Sequence, residues 1–290
     1  MVKLKNKEIN KELETLVEKV GTYVENEDYE TALIYQKKIS QIDPDNINEL
    51  ENLAAINLYL KKYSDVVEII EKLPEDCWMR YLIKGHYHDK LNQKEDALKN
   101  YLKAHELEPD NRQPLFNLAF HYQHEGEHEK AFEYTFKMLD IDVNDIGALA
   151  ILTGLYFDTG QFEEVIIYAN KAIALSDEKD DLIYPSLAFS YLMTGESEKG
   201  WDCLVEAIFK HPDEIYYYTL LATYAFAIND DKKAFEIYNV AMKKDPACPE
   251  VHLGLAIHYK SEGDLKTARK YYDKYVELED EEIVIGFDEF

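Results

Sequence analysis

The sequence predicts an all-α protein built as an α-solenoid, and three observations carry that prediction. The dipeptide Leu-Ala recurs at Leu53, Leu118, Leu187, Leu221 and Leu255, the last three copies standing 34 residues apart. The same interval separates Ala97 from Ala131, Gly126 from Gly160, Pro212 from Pro246 and Ala234 from Ala268. Within one period, apolar residues fall at helical spacing, as in Leu115, Leu118, Ala119 and Tyr122, while glycine and proline collect at the joints. A fixed step of this length marks an array of small units, each burying its apolar face only against its neighbours. A solenoid therefore avoids the limit at which a single core of 290 residues would split into domains.

Aligned on the recurrent alanines and prolines, the chain divides into eight units: 13–46, 47–77, 78–111, 112–145, 146–180, 181–214, 215–248 and 249–282. Residues 1–12 form a lead-in and 281–290 a tail of acids and apolar residues. Each unit reads as a helix, a short turn and a second helix. Glycine stands in the turn at Gly126, Gly160, Gly195 and Gly263, where it can end a helix in the left-handed conformation at little cost. The second helix then runs, for example, from His128 to Leu139 with Ala131 facing inward. Asp43-Pro44, Glu108-Pro109 and Asp245-Pro246 close units, because proline suits a first helical turn and not a helix interior.

Ala119 and Ala131 mark the closest approach of two antiparallel helices, where a larger side chain would push them apart. Tyr122, Tyr156, Tyr191 and Tyr259 repeat at one slot of the first helix, and Tyr101, Tyr238 and Tyr272 at one slot of the second. Tyrosine, at 23 residues, suits positions with a packed ring and a wet hydroxyl. Three units depart from the pattern. The second is three residues short and ends at Leu73-Pro74, which predicts a clipped second helix. The fifth is one residue long, has Ser176-Asp177 where a proline usually closes the unit, and carries Val165 in the alanine slot. The first has Val20 in place of a small residue, as suits an end.

These slots, recurring in register over 13–282, resemble the tetratricopeptide repeat (TPR) family. The resemblance implies a right-handed superhelix of about eight TPR units whose concave face, lined by first helices, binds an extended or helical peptide. A groove already formed lets a peptide bind without ordering its receptor. Projection of the first helices puts Glu51, Ala55 and Tyr59, then Leu82, His86 and Asp89, on that face, with a conspicuously apolar stretch beyond them. Phe116, Phe120, Phe157, Phe189, Met193, Tyr216 and Phe226 are the candidate partner-binding residues. Two readings of this set stand open: anchors for an apolar or amphipathic segment, or rings buried between adjacent first helices by tight curvature. Family members that hold acidic chaperone C-termini use a lysine, asparagine and arginine clamp. Here the matching slots hold residues such as Phe116 with Phe120 and Thr219 with Thr223, so that ligand is not expected.

A formal net charge of −26 makes nucleic acid and anionic membrane poor partners. It reads as a solvated surface or, alternatively, as a preference for a basic partner. The three cysteines, Cys77, Cys203 and Cys248, lack metal-site spacing, and their odd number argues against a disulfide framework. With a charged start and no long apolar run, the chain reads as cytoplasmic. His121, His124 and His128 could share a helix face, but the turn at Gly126 separates the last, and no metal or other cofactor is expected. No phosphate loop, nucleophile elbow or HExxH occurs, so no enzyme is expected. The expected function is a non-catalytic scaffold that binds a protein or peptide segment in its groove. The alternative is a regulatory peptide sensor acting through a separate output protein. Self-association stays open, as does the tail: it either caps the last repeat or docks as a short motif elsewhere.

Overall fold

The computed structural model describes residues 2–44, 46–175, 183–279 and 287, the first helix's residues 2–10 and residue 47 by backbone alone. The end of the fifth unit at Ser176-Asp177 and the tail, apart from Phe287, lie outside the described residues. Those residues form sixteen α-helices and no strand. Two compact halves divide the chain, Met1–Val143 and Asn144–Phe290.

The N-terminal half holds four helix pairs: α1 (Val2–Glu25) with α2 (Tyr29–Ile42), α3 (Ile47–Tyr59) with α4 (Tyr63–Lys72), α5 (Trp78–Lys90) with α6 (Lys94–Leu107), and α7 (Arg112–His124) with α8 (His128–Ile141). The C-terminal half holds four more: α9 (Ile146–Asp158) with α10 (Phe162–Leu175), α11 (Ile183–Met193) with α12 (Ser197–Lys210), α13 (Ile215–Ala227) with α14 (Asp231–Lys244), and α15 (Pro249–Ser261) with α16 (Leu265–Leu278). This is the all-α repeat architecture that the period predicts. Helix α1 runs back to Val2, through the residues read as a lead-in, because no glycine or proline interrupts them.

The repeat joints follow from local chemistry. All eight turns within pairs use one left-handed residue: Gly126, Gly160, Gly195 and Gly263 at φ 72–81°, and Glu27, Lys61, Asn92 and Asn229 at φ 56–61°. Carboxylate and amide caps start many helices, as where Asp264 accepts from Thr267 N at 3.1 Å and Asn111 from Gln113 N at 3.0 Å. Helix α4 is ten residues long, against fourteen for α6, and ends at Lys72, with Leu73 already extended ahead of Pro74, which disfavours a further turn. The Arg80 guanidinium donates to the carbonyl of Leu73, so the clipped end is not left unpaired.

Small residues fill the closest helix approaches. Ala32, Ala97, Ala131, Ala234 and Ala268 on second helices, and Ala119, Ala222 and Ala256 on first helices, are fully buried. Around them the tyrosines form a ladder. Tyr23 stacks on Tyr35, Tyr122 on Tyr134, Tyr156 on Tyr168 and Tyr259 on Tyr271, each with centroids 5.3–5.6 Å apart and rings within 9° of parallel. Every such pair joins the first helix of a repeat to its second. In the α11–α12 pair Cys203 takes the second position, where it is buried, while the tyrosines at that position in the other pairs are half-buried.

Candidate interaction surface

Helix α7 presents Phe116 and Phe120 one turn apart, stacked at 6.2 Å, because residues at i and i+4 share a helix face. Phe120 is 47% exposed, whereas Phe116 is half-buried beneath the Arg112 guanidinium. The edge of His124 meets Phe120 at 4.2 Å. Next to this aromatic pair the face of the N-terminal half is polar and internally bridged. Gln113 Nε2 donates to both carboxylate oxygens of Glu51, at 3.1 and 3.2 Å, which links α7 to α3 past the intervening α5. His86 Nε2 lies 3.0 Å from Asn117 Oδ1. Leu82, projected onto the groove surface, is instead fully buried in α5, so that slot belongs to the core.

In the C-terminal half, α9, α10 and α11 bring three phenylalanines together. Phe157 lies 5.5 Å from Phe189 and 6.2 Å from Phe162, and Phe162 lies 5.8 Å from Phe189, all edge to face. Edge-to-face contacts of this kind fix ring orientation and add about 0.5–1.5 kcal/mol per pair beyond area burial. Phe157 is half-buried and forms the floor, while Phe189 stays 42% exposed and Met193, one turn further along α11, 54% exposed. Tyr216 on α13 is 55% exposed and rests on the buried Tyr217 at 5.5 Å.

Phe226 departs from the groove projection. It is half-buried and packs on the core cluster of Ala222, Tyr238, Ala241, Val251 and Leu255, its centroid 6.0 Å from that of Tyr238. The residue that sequence reasoning missed is Phe162. It opens the second helix of its repeat, directly after the Gly160 turn, and projection of first helices alone passes over it.

At the end of the array Phe287 lies against the cluster of Ala256, Tyr272 and Tyr275. Its carbonyl accepts from Lys260 Nζ at 2.7 Å, and its ring sits 5.2 Å from Lys260 Nζ and 5.0 Å from the Arg269 guanidinium. No group of histidine, cysteine and carboxylate side chains among the described residues is arranged to hold a metal. No described helix is long and apolar enough to cross a membrane.

The family model for the tetratricopeptide repeat matches residues 80–111 and 249–282. Over 243 residues the chain is 26% identical to a TPR repeat-containing protein of Methanocaldococcus jannaschii, covering 78% of this chain and 41% of that protein. It is 21% identical over 232 residues to the BBSome complex member BBS4 of Bos taurus, covering 79% of this chain and 44% of that one. The chain thus spans less than half the length of these curated relatives. Among solved structures, a chain of the APC/C hetero-tetramer Cut9–Hcn1 superposes with a TM-score of 0.64 at 16% identity, over 88% of this chain and 51% of that one. A tetratricopeptide repeat protein from Parabacteroides merdae superposes with a TM-score of 0.53 at 17% identity, over 94% and 95% of the two chains. With the recurring slots and the eight helix pairs, the family matches and these likenesses support a tetratricopeptide repeat protein.

Proposed function

We propose that the chain holds a segment of a partner protein on the first-helix face of its C-terminal half, with Phe189, Met193 and Tyr216 as anchors over the floor of Phe157 and Phe162. The observation that carries this reading is the three-helix phenylalanine cluster, which keeps Phe189 oriented while leaving it 42% exposed. Orienting an aromatic anchor before binding lowers the entropy lost on association. The apolar chemistry favours an apolar or amphipathic segment, and the net charge of −26 favours basic residues flanking it. Phe120, stacked on Phe116, supports the same reading for the N-terminal half as a separate patch.

Peptides selected by the wild-type chain from a displayed library are expected to be rich in apolar residues. Phe189→Ser should weaken the tightest of them by about 2 kcal/mol, roughly thirtyfold, as for the loss of a hot-spot residue. Losing two edge-to-face contacts of about 0.5–1.5 kcal/mol each should lower the thermal melt of the variant by a few degrees while the array stays folded, since Phe189 sits outside the buried core. Equal binding by the variant, or a collapsed melt, would remove the cluster from the interface.

A further inference from the structure

A groove of about 280 Å³ runs between α1 and α3, floored by α2, in the N-terminal half. Its walls are Val17, Val20, Val24, Ile56 and Tyr59, with Tyr59 stacked on Tyr29 at 4.5 Å. Val17 and Tyr59 are 48% and 55% exposed, so apolar surface faces water here. At one wall stands Glu49, half-buried, whose Oε2 accepts from the buried Gln36 Nε2 at 2.7 Å. That neutral donor fixes the carboxylate without neutralising it.

Among the described residues no cation pairs with Glu49. Four lysines of this region are engaged elsewhere: Lys62 with Glu30 at 3.0 Å, Lys19 and Lys38 over the Tyr35 ring, and Lys90 over the Tyr59 ring. An immobilised, half-desolvated carboxylate beside aliphatic walls is the complement of an aliphatic side chain neighboured by a cation. The volume lies just below the range of about 300–1,000 Å³ typical of small-molecule sites, which suits a few side chains of a segment better than a whole organic ligand. We infer that this groove is a second binding site, which takes an amphipathic protein segment that inserts an aliphatic residue between α1 and α3 and pairs a lysine or arginine with Glu49. The site does not depend on the phenylalanine cluster of α9–α11.

Gly21 supplies a clean test, because a Cβ built on it meets nothing within 4 Å and it lines the groove. A large side chain there leaves the helix through open space and enters the groove. The full chain would be titrated in about 0.15 M salt, where exposed charges are screened beyond about 8 Å. The probes are two fluorescein-labelled helical peptides, one of leucine and lysine and one of leucine and glutamate, read by anisotropy. Saturable binding of the lysine peptide alone is expected. Glu49→Gln, which keeps an acceptor for Gln36, should weaken it about tenfold. Gly21→Trp should abolish binding with an unaltered thermal melt, and Phe189→Ser should leave it as it was. If Gly21→Trp lowers the melt, Glu49→Gln decides alone. Wild-type affinity in Glu49→Gln, binding of both peptides alike, or binding of neither would overturn the site.

Discussion

The ring of Tyr101 occupies the space that a side chain at Gly85 would fill, and the Tyr101 hydroxyl is anchored to the Asp89 carboxylate one turn further along the same helix as Gly85. Tyr101 is buried, so it has no room to withdraw. By helix propensity alone, Gly85→Ala should stabilise by about 1 kcal/mol. Overpacking opposes this by about 1–3 kcal/mol, and the anchored phenol favours the upper part of that range. A fall in melting temperature of a few degrees is expected, at about 2–4 °C per kcal/mol for a chain of this order of size. A rise would show that the ring yields.

The eight left-handed turn residues are not equally suited to their conformation. Glu27 and Lys61 hold positive φ without the freedom of glycine, which stands at the corresponding position of other repeats. Glu27→Gly and Lys61→Gly should each stabilise by about 0.5–1 kcal/mol in chemical denaturation, through relief of a left-handed cost of about 1–2 kcal/mol less the extra chain entropy of glycine. Gly160→Ala should lose a similar amount, although a Cβ there meets open space, because only its backbone is strained. Equal stability of all three variants with the wild type would mean that these turns relax.

On the cap reading of the tail, Phe287 takes the place that the next first helix takes at the previous junction. At the previous junction Ala222, Tyr238 and Ala241 are covered by Val251 and Leu255 of the next first helix. One period on, Ala256, Tyr272 and Tyr275 are met by Phe287. Full burial of a phenylalanine is worth about 3–5 kcal/mol against alanine, so half-buried Phe287 should be worth about 1–2 kcal/mol. Phe287→Ala should accelerate amide exchange in α15 and α16 while α9 and α10 exchange as before. Unchanged exchange at the end of the array would leave the tail free for another role.

Alkaline conditions should loosen the C-terminal half. Burial, reinforced by nearby Glu206, pushes the Cys203 thiol up to about 12 from an ordinary 9.0. Burial and a hydrogen bond to Glu250 push Cys248 up to about 11. Burial also raises Tyr238 above its usual 10.0. The folded state then holds protons that the unfolded chain releases, so this stability is whole below about pH 9 and drains away as pH climbs through the folded values. Melting temperature should fall progressively between pH 9 and 12, with a shallower fall in Cys203→Ala. Matching slopes for both proteins would clear Cys203 of any part.

Much of the repeat was legible because each slot recurs. A 34-residue step exposes alanines buried at every junction and glycines at the turns, and neither depends on distant sequence. What escaped depends on how neighbouring helices tilt. Leu82 and Phe226 carry the helical phase of groove residues, yet adjacent elements cover them wholly or in part. The Glu51–Gln113 bridge joins residues nearly two periods apart, and no local pattern marks it. Phe162 enters the aromatic cluster from a second helix, where a search confined to first helices does not look. The second-helix tyrosines Tyr134, Tyr168 and Tyr271 were hidden for a simpler reason: a partner slot shows only once the two helices are laid side by side.

The parallel tyrosine pairs also give this molecule an optical signature. Rings held so close and so nearly parallel couple their ultraviolet transitions, and four of the pairs, all but Tyr29–Tyr59, span the two helices of one hairpin. Near-ultraviolet dichroism therefore follows the closing of individual hairpins. Trp201 on α12 sits beneath the ammonium of Lys233 on α14, so with Trp78 replaced by Phe its fluorescence follows the seam between successive hairpins. Two colours of light thus separate events that a far-ultraviolet helix signal would merge.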